Sequence, residues 1–394
     1  MPEVTVVCPQ ERDRTLIREA GLEGRYRIEY AGQDLDSISD FDPRALVDQL
    51  VRGQPAAVVA TKDRSALLAA LVGERLGLPG PTTEAVINCQ HKARGRRIHG
   101  QVARAATPCF AEIRHADDPP PACPPPWFAK PIVGRLSQGA RRIDDPAEFG
   151  ALTDPSGYAA DWTRIAELAE GPAPSAAGFL VEELARGQEV TLEGYVYRGS
   201  VTVIGITDSV MYPGTNSFER FEYPSTLTEV RQGELGDVAH RVVPALGLDT
   251  AFFNMEFVVP AEGPATLIEV NGRIASQFAP MMQATHSRST YDALFALASG
   301  QNPAWRSSDP DGVAVSYVLR VFRDALVESV PEPEPGVEIL VRPGLRLSEQ
   351  GANDIESYRV AIVYGAGETR AEALERCRSR ARRLRFQLAS ALVA

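Results

Sequence analysis

Two acidic residues and one amide in the second half of the chain have the types and spacing of a divalent-metal site. Glu256 lies in one predicted strand, and Glu269 and Asn271 lie in the next. Because side chains alternate between the faces of a strand, Glu269 and Asn271 share a face, and Glu256 can join them if the two strands are antiparallel neighbours. Two carboxylates and an amide oxygen form a hard, all-oxygen set. This set suits magnesium, which takes its remaining ligands from water and nucleotide phosphates.

Solvent-facing positions on an exposed sheet are the alternative for these acids. Both acids, however, stand inside apolar runs, FFNMEFVV and TLIEVN, where an unpaired carboxylate is costly to bury. The sequence therefore favours the metal site.

Two lysines could hold phosphates. Lys130 ends a predicted strand and leads into the small-residue loop 134–141, in which backbone N–H groups can wrap a phosphate beside the lysine charge. Lys92 lies upstream in the run HKAR. A surface lysine and an ordinary turn explain each signal when it is taken alone, so their order along the chain is what makes them informative.

A third candidate segment is the run VEEL at 181–184, followed by Gly187, Gln188 and Glu189. A strand that ends in acids and turns through glycine can offer backbone groups to an adenine edge and a carboxylate to ribose hydroxyls. A plain connection between a strand and a hairpin explains the same residues equally well.

The elements that must position these residues begin with alternating strands and helices. Residues 4–8 and 56–60 read as buried parallel strands, and residues 64–76 as a helix, which predicts an open parallel sheet. Residues 9–12 contain no glycine-rich phosphate turn. This first domain is therefore expected to be Rossmann-like in shape without binding a dinucleotide.

A proline-rich connection at 117–126 separates this part from a β-rich part. Arg198 and Gly199 read as a hairpin turn between two of the strands. The further predicted strands are 127–130, 179–184, 189–197, 200–207, 253–259, 266–271, 337–341 and 358–364, and the further predicted helices are 291–298 and a terminal helix from about 369.

Composition restricts the class of protein. The 394 residues suggest two or three globular domains, and a net charge of -11 argues against nucleic-acid or anionic-membrane partners. The five cysteines are scattered without a CxxC pair, and no signal peptide or membrane span is evident. We therefore expect a cytoplasmic protein.

The ordered set of Lys92, Lys130 with its loop, VEEL, GQEV, Glu256 and the run from Glu269 to Arg273 resembles the ATP-grasp superfamily, in particular carboxylate–amine ligases of the L-amino acid ligase type. The resemblance implies an α/β (α+β) chain with the ATP-grasp fold. It assigns 1–85 to a Rossmann-like preATP-grasp domain, 86–300 to the ATP-grasp domain with a mobile lid subdomain at about 125–185, and 301–394 to a small C-terminal α+β domain.

The resemblance also implies a role for each motif residue. It assigns Lys92 and Lys130 to the ATP phosphates, Ser137, Gln138 and Gly139 to the lid loop, Glu182, Glu183 and the Leu184 backbone to adenine, Glu189 to ribose, Glu256, Glu269 and Asn271 to magnesium, and Arg273 to the acyl phosphate and the tetrahedral intermediate.

One departure concerns the substrate region. Many amino acid ligases carry a histidine there, but residues 215–225 contain none and present Arg220, Glu222 and Tyr223 instead. These three, together with Ser276 and Gln277 after the run ending in Arg273, are the candidate substrate contacts. Packing or solvent exposure is the alternative for each.

These features lead to one leading prediction of function. The chain is expected to use ATP and Mg²⁺, or Mn²⁺ in its place, to activate a small-molecule carboxylate as an acyl phosphate and to couple it to an amine. The alternatives are an ATP-grasp carboxylase, a ligase that acts on a carrier protein, and an inactive nucleotide-binding protein. No nucleic-acid or membrane partner is expected, and the resemblance allows a homodimer.

Overall fold

The structure is a computed structural model that describes residues 1–36, 41–135, 138–153, 157–305, 310–350 and 357–390. Its strands are β1 (Glu3–Val7), β2 (Arg27–Ala31), β3 (Val58–Val59), β4 (Phe110–Ile113), β5 (Trp127–Pro131), β6 (Arg141–Ile143), β7 (Phe179–Glu183), β8 (Gln188–Tyr197), β9 (Ser200–Met211), β10 (Phe218–Tyr223), β11 (Ala251–Val259), β12 (Thr266–Asn271), β13 (Val313–Val321), β14 (Ala325–Ser329), β15 (Val337–Ile339), β16 (Tyr358–Gly367) and β17 (Gln387–Ser390). Its helices are α1 (Glu11–Glu19), α2 (Pro43–Gly53), α3 (Asp63–Leu76), α4 (Thr83–Gln90), α5 (Lys92–Val102), α6 (Tyr158–Ala166), α7 (Glu229–Ala245), α8 (Ala279–His286), α9 (Thr290–Ala298) and α10 (Arg370–Ala381).

The amino-terminal strands form a parallel sheet in the order β2-β1-β3, as the alternation of strands and helices predicts. β3 has only two residues, fewer than expected, because only Thr5 and Val6 of β1 pair with it. Helix α3 begins at Asp63, one residue before the predicted start, and Lys62 is its N-cap. The connections after β1 and β3 therefore bring the starts of α1 and α3 to the carboxyl edge of the sheet.

A four-stranded antiparallel sheet in the order β4-β7-β5-β6 follows. Lys130 of β5 lies opposite Leu180 of β7, two residues from Glu182. Because side chains alternate along a strand, Lys130 and Glu182 lie on the same face. The other face buries Trp127 and Val181 in an apolar cluster that holds the two strands in this register.

The next sheet presents a polar face. β11 pairs antiparallel with β12 and with β8, as predicted for β11 and β12. In this register Glu256 lies directly opposite Glu269, and Asn254 lies opposite Asn271 and Glu193. The alternate residues of β11, such as Met255 and Phe257, are buried on the other face.

The predicted hairpin turn between β8 and β9 is confirmed. Arg198 and Gly199 both have positive φ angles, 49° and 76°. Positive φ at both central residues is the type I′ conformation, whose twist matches that of the flanking strands. This turn keeps β8 and β9 adjacent in the sheet.

The chain divides into two compact units. Unit 1 contains residues 1–205, 227–276 and 291–307, with the three sheets described above. Unit 2 contains residues 206–226, 277–290 and 308–394, so β9 begins in unit 1 and ends in unit 2.

Unit 2 has its own strands and apolar clusters. The later part of β9 is followed in its sheet by β10, β13, β16 and β15, and β14 pairs with β17. Segment 215–225, treated as a substrate loop from the sequence, is largely strand β10. None of the described helices in either unit combines the length and apolar character needed to cross a membrane.

Candidate functional site

The acidic pair forms one wall of the candidate site in unit 1. Glu256 and Glu269 are directly opposed on β11 and β12, with the Asn271 side chain beside them. The Asn271 Nδ2 atom is 3.4 Å from Glu256 Oε1 and 3.5 Å from Glu269 Oε1. The structure thus brings together the three residues that the sequence proposes as metal ligands.

The orientation of the Asn271 amide differs from the expectation. Its nitrogen, not its oxygen, faces the acids, and it also donates to Asn254 Oδ1 at 3.0 Å. The oxygen instead accepts a hydrogen bond from Arg273 Nη2 at 3.4 Å. Two carboxylates attract an N–H donor, which explains this orientation of the amide. A half-turn of the amide presents the oxygen to the acids.

Crowding of negative charge shows that this wall suits a cation. Burial, followed by the charge of Glu269, raises the pKa of Glu256 well above its usual value. Burial and the same neighbour raise the pKa of Glu189 to about 7. In the described part of the chain, no group of three or more His, Cys, Asp or Glu side chains is arranged to hold a metal. A divalent ion here would therefore rest on the two opposed carboxylates with the amide, and their mutual repulsion would be relieved by it.

Lys92 approaches the acidic wall from the start of α5. The side chain of His91 caps this helix by accepting a hydrogen bond from Arg94 N at 3.2 Å. The backbone N–H of Lys92 donates to Ile132 O at 2.9 Å, which ties the helix start to the chain just after β5. The ammonium then donates to Gly134 O at 2.9 Å and lies 3.8 Å from Glu269 Oε2.

Lys130 belongs to a buried charge network. Its Nζ lies 2.7 Å from Glu182 Oε2, while the other oxygen of Glu182 accepts from Arg96 Nε. Burial disfavours the ionised carboxyl, but Arg96 and Lys130 together outweigh that effect and lower the pKa of Glu182. Arg96 and Lys130 also donate to Ile268 O of β12, at 2.7 and 3.2 Å. One acid shared by two cations leaves this network with net positive charge beside the acidic wall.

The residues that the resemblance assigns to adenine and ribose lie at the end of β7 and the start of β8. The Glu182 carboxylate is held by its two cations, so its side chain is not directed to a base as the sequence suggests. Glu183 is exposed, and its backbone N–H donates to Cys109 O at 2.8 Å. The Leu184 N–H donates to Pro126 O at 3.3 Å. Adenine binding at these residues and ribose binding at Glu189 stay predictions.

The lid loop is described in part. Gln138 N donates to Arg135 O at 3.0 Å, and Gly139 has a φ of 71°, a conformation that favours glycine. Ser137 lies outside the described residues.

Arg273 is fixed by a residue that the sequence analysis missed. Its Nε lies 2.6 Å from Asp63 Oδ1 and its Nη2 lies 3.3 Å from Asp63 Oδ2. Asp63 is the first residue of α3. This two-point ion pair holds the Arg273 guanidinium beside Asn271. Because the guanidinium is planar, two contacts to one carboxylate also fix its orientation.

Four of the proposed substrate residues belong to unit 2 and have partners there. Arg220 Nε lies 2.6 Å from Glu222 Oε1, and Tyr223 OH lies 2.7 Å from His286 Nε2. Gln277 donates to Ser316 Oγ at 3.0 Å.

Ser276, the fifth proposed substrate residue, belongs to unit 1. It is buried, and its Oγ accepts from Arg12 at 3.5 Å. Substrate contact by these five residues stays a prediction.

Sequence reasoning also missed Lys62, Arg96 and Glu193. Arg96 stands in an arginine-rich helix and gives no local sign of burial. Lys62 and Asp63 follow a buried parallel strand, and residues at the carboxyl edge of such strands often contact ligands, which could have identified them. Glu193 lies two residues beyond Thr191 in an apolar strand, the same kind of signal that identified Glu256.

Known proteins resemble this chain in sequence and in fold. Residues 123–281 match the family model described as ATP-grasp domain. The uncharacterised protein y4rH of Sinorhizobium fredii is 27% identical over 359 residues, which cover 86% of this chain and 70% of that protein.

Solved structures are similar over nearly the full length. The L-amino acid ligase from Bacillus licheniformis superposes with a TM-score of 0.75 at 18% identity, covering 99% of both chains. Phosphoribosylglycinamide synthetase from Anaerococcus prevotii gives 0.69 at 13% identity, covering 98% of this chain and 99% of that one. Biotin carboxylase from Campylobacter jejuni gives 0.66 at 13% identity, with 98% and 92% covered. Residues 123–281 therefore match an ATP-grasp domain, and the chain has the ATP-grasp fold, with a parallel amino-terminal sheet followed by antiparallel sheets.

Proposed function

We propose that this protein is an ADP-forming ligase that activates a carboxylate, such as that of an amino acid, as an acyl phosphate and couples it to an amine. The observation that carries the proposal is the meeting of two oppositely charged walls, with the Lys92 ammonium 3.8 Å from the acidic pair at Glu269. The names of two similar structures, an L-amino acid ligase and a phosphoribosylglycinamide synthetase, support a ligase. The biotin carboxylase supports the alternative of a carboxylase.

The ammonium groups of Lys92 and Lys130 form the cationic wall of the site, and they would bind the nucleotide phosphates. Lys92 is anchored at the start of a helix, and Lys130 is anchored by Glu182, so both ammonium groups are held in place before a ligand arrives. Charges fixed in advance need little reorganisation as negative charge moves between phosphate oxygens, which is how phosphoryl transfer is stabilised.

Glu256, Glu269 and a turned Asn271 would hold Mg²⁺ or Mn²⁺. The bound ion would neutralise charge on the transferred phosphoryl group. The chain's own contribution is the direct opposition of the two acids across β11 and β12, which sets the position of the ion.

Arg273 would orient the acid. Its tether to Asp63 fixes one side of the guanidinium. Nη1 donates one N–H to Ile274 O at 3.3 Å and has a second N–H for the substrate carboxylate. The carboxylate takes the γ-phosphoryl group of ATP and becomes an acyl phosphate. An amine then attacks the acyl carbon, phosphate leaves, and the products are an amide, ADP and phosphate.

The test is ADP release by the purified protein with Mg·ATP and a panel of acids and amines, singly and in pairs, with product masses recorded. We expect release that needs both an acid and an amine. Lys92→Met and Glu269→Gln should lower it by about 100-fold or more, since each removes a charge that acts on the transferred group. Arg97→Gln, which removes an exposed charge paired with Glu112, is the matched control and should keep full activity.

Two results would overturn the proposal. Bicarbonate-dependent ADP release without an amine would identify a carboxylase. Nucleotide binding without turnover over the whole panel would identify a binding protein.

The setting of the reaction is part of the proposal. All five cysteines are free thiols, which is compatible with a reducing cytoplasm. Small acids and amines are the partners that we propose, and a homodimer is the assembly to look for by light scattering.

A further inference from the structure

Lysine is rare in this protein, and its placement is informative. The sequence has 41 lysine and arginine residues, and only three of them are lysines, at positions 62, 92 and 130. Lys92 and Lys130 lie in the candidate site. Because arginine fills nearly every other basic position, a lysine indicates a position where a compact ammonium is suited and a broad guanidinium is not. Lys62 is the one lysine to which the proposed function gives no task.

Lys62 stands at the carboxyl edge of the parallel sheet. It is the N-cap of α3, directly after the short strand β3, and Arg12 lies in the first turn of α1, which follows β1. Open α/β sheets bind ligands outside the carboxyl ends of their strands. The side chains of Lys62 and Arg12 therefore start from the edge at which sheets of this kind bind ligands.

Hydrogen bonds connect this edge to Arg273. The neighbour of Lys62, Asp63, holds Arg273 through two contacts of 2.6 and 3.3 Å. Arg12 Nη1 donates to Ser276 Oγ at 3.5 Å, three residues beyond Arg273. The cations of Arg12 and Lys62 thus approach the residue that would orient the acid substrate.

The acids near Lys62 have other hydrogen-bond or ion-pair partners. Asp13 accepts from Thr61 Oγ1 at 2.9 Å and from Tyr291 OH at 2.5 Å, and Asp63 is occupied by Arg273. Asp36, the next acid, is paired with two arginines, Arg64 and Arg135.

The Lys62 ammonium makes no hydrogen bond or ion pair with any residue that the structure describes. Burial, followed by the positive charges of Arg12 and Arg273, lowers the pKa of Lys62 to about 8, and Asp13 and Asp36 oppose this shift only in part. A partly buried ammonium near two other cations is costly unless an anion accompanies it.

We propose that Lys62 and Arg12 bind a second anionic group, a carboxylate or a phosphate, of the acid whose first carboxylate is activated beside Arg273. The preferred acid is then doubly anionic, such as a dicarboxylate. This inference rests on the proposed ligase activity, and it narrows the substrate class of the same site.

Matched substrate pairs test the preference. Glutamate against glutamine and aspartate against asparagine differ by one charge at nearly constant shape, and O-phosphoserine against serine tests a phosphate. In the ADP-release assay, we expect kcat/KM to be at least about tenfold higher for the charged member, the size of one charge-assisted hydrogen bond.

Variants assign the preference to the lysine. Lys62→Gln should remove the preference by raising KM for the charged acid. We expect little change in kcat for that acid or in kcat and KM for the uncharged acid. Lys62→Arg should restore it only in part. Arg27→Gln removes one charge from the opposite edge of the same sheet, where the side chain is 78% exposed, and should leave the preference intact.

Several outcomes would overturn the proposal. They are equal kcat/KM for the paired acids in the unaltered protein, an unchanged ratio in Lys62→Gln, and an equal loss of kcat for all acids in that variant, which would indicate a catalytic lysine. A charge preference that follows the amine instead of the acid would also overturn it.

Calorimetric titration with glutamate, aspartate and O-phosphoserine separates this inference from the ligase activity, because it needs no turnover. Weaker binding to Lys62→Gln than to Arg27→Gln would support the anion site even if no ADP formed. Equal binding to both would refute the site even in an active ligase.

Discussion

The fully buried carboxyl of Glu193 offers a sharp test of the site's electrostatics. Its Oε1 accepts a hydrogen bond from Ala275 N at 3.3 Å, while Oε2 has no partner among the described residues. Burial raises the pKa of Glu193 from 4.5 to about 8, although Ala275 and Arg273 favour the charged form. The group is therefore expected to be protonated at neutral pH and to hold the chain just after Arg273.

The sign of the pH effect follows from the raised pKa. Below pH 4.5 the carboxyl carries its proton in both the folded and the unfolded protein. Between pH 4.5 and 8 the unfolded chain releases the proton while the folded chain keeps it, so the free energy of unfolding falls. At about 1.36 kcal/mol per pKa unit, the loss between pH 5 and pH 8 is on the order of 3 kcal/mol.

Glu193→Gln should remove this dependence, because the amide stays neutral and its oxygen can still accept from Ala275. An unsatisfied amide N–H costs about 1–3 kcal/mol, but that cost does not vary with pH. The variant is thus expected to gain stability relative to the unaltered protein as the pH rises.

The assay is urea unfolding at pH 5, 6, 7 and 8, with Glu74→Gln, an exposed carboxyl on α3, as the control. The difference in unfolding free energy between Glu193→Gln and the unaltered protein should shift by about 3 kcal/mol across this range. Parallel curves for these two proteins would show that Glu193 is ionised in the folded state, and the reasoning from burial would be refuted.

Three further variants probe the charge pairs. Glu182→Gln removes the acid that two buried cations share, and it should lower the free energy of unfolding in urea by about 3–5 kcal/mol. A decrease below about 1 kcal/mol would contradict the buried network. Asp63→Asn releases Arg273 and should lower kcat for ADP release by about tenfold or more, with little change in the KM for ATP; an unchanged kcat would rule out the positioning role. Glu269→Gln should weaken the magnesium dependence of nucleotide binding by at least about tenfold in calorimetric titration, and equal magnesium dependence would place the metal elsewhere.

Local patterns in the sequence were sufficient for one wall of the site. A period of two places Glu269 and Asn271 on one face, and the short connection after β11 makes β12 its antiparallel neighbour. That Glu256 can join this face follows from these two facts. Its direct opposition to Glu269 also depends on the register, which shifts between Glu256 and Phe257. The direction of the Asn271 amide depends on the charges around it and not on strand geometry.

The other wall depended on contacts that no local pattern reveals. Asp63 and Arg273 are 210 residues apart, and Arg96 and Glu182 are 86 apart, so only the folded chain brings them together. Alternation along β7 does indicate that Glu182 and Glu183 point in opposite directions. It cannot indicate that the inward carboxylate meets two cations. The adenine role of Glu182 came from the resemblance alone.

The two walls together explain why the site would take a nucleotide with its metal and not the nucleotide alone. The network of Lys130, Arg96 and Glu182 carries net positive charge and attracts phosphate. The pair of Glu256 and Glu269 repels the same phosphate when both are ionised, and burial together with the charge of Glu269 disfavours that state by raising the pKa of Glu256. A divalent ion would neutralise the second wall, so each partner would improve the affinity of the other. Linkage then requires that magnesium tighten nucleotide binding by the same factor as nucleotide tightens magnesium binding.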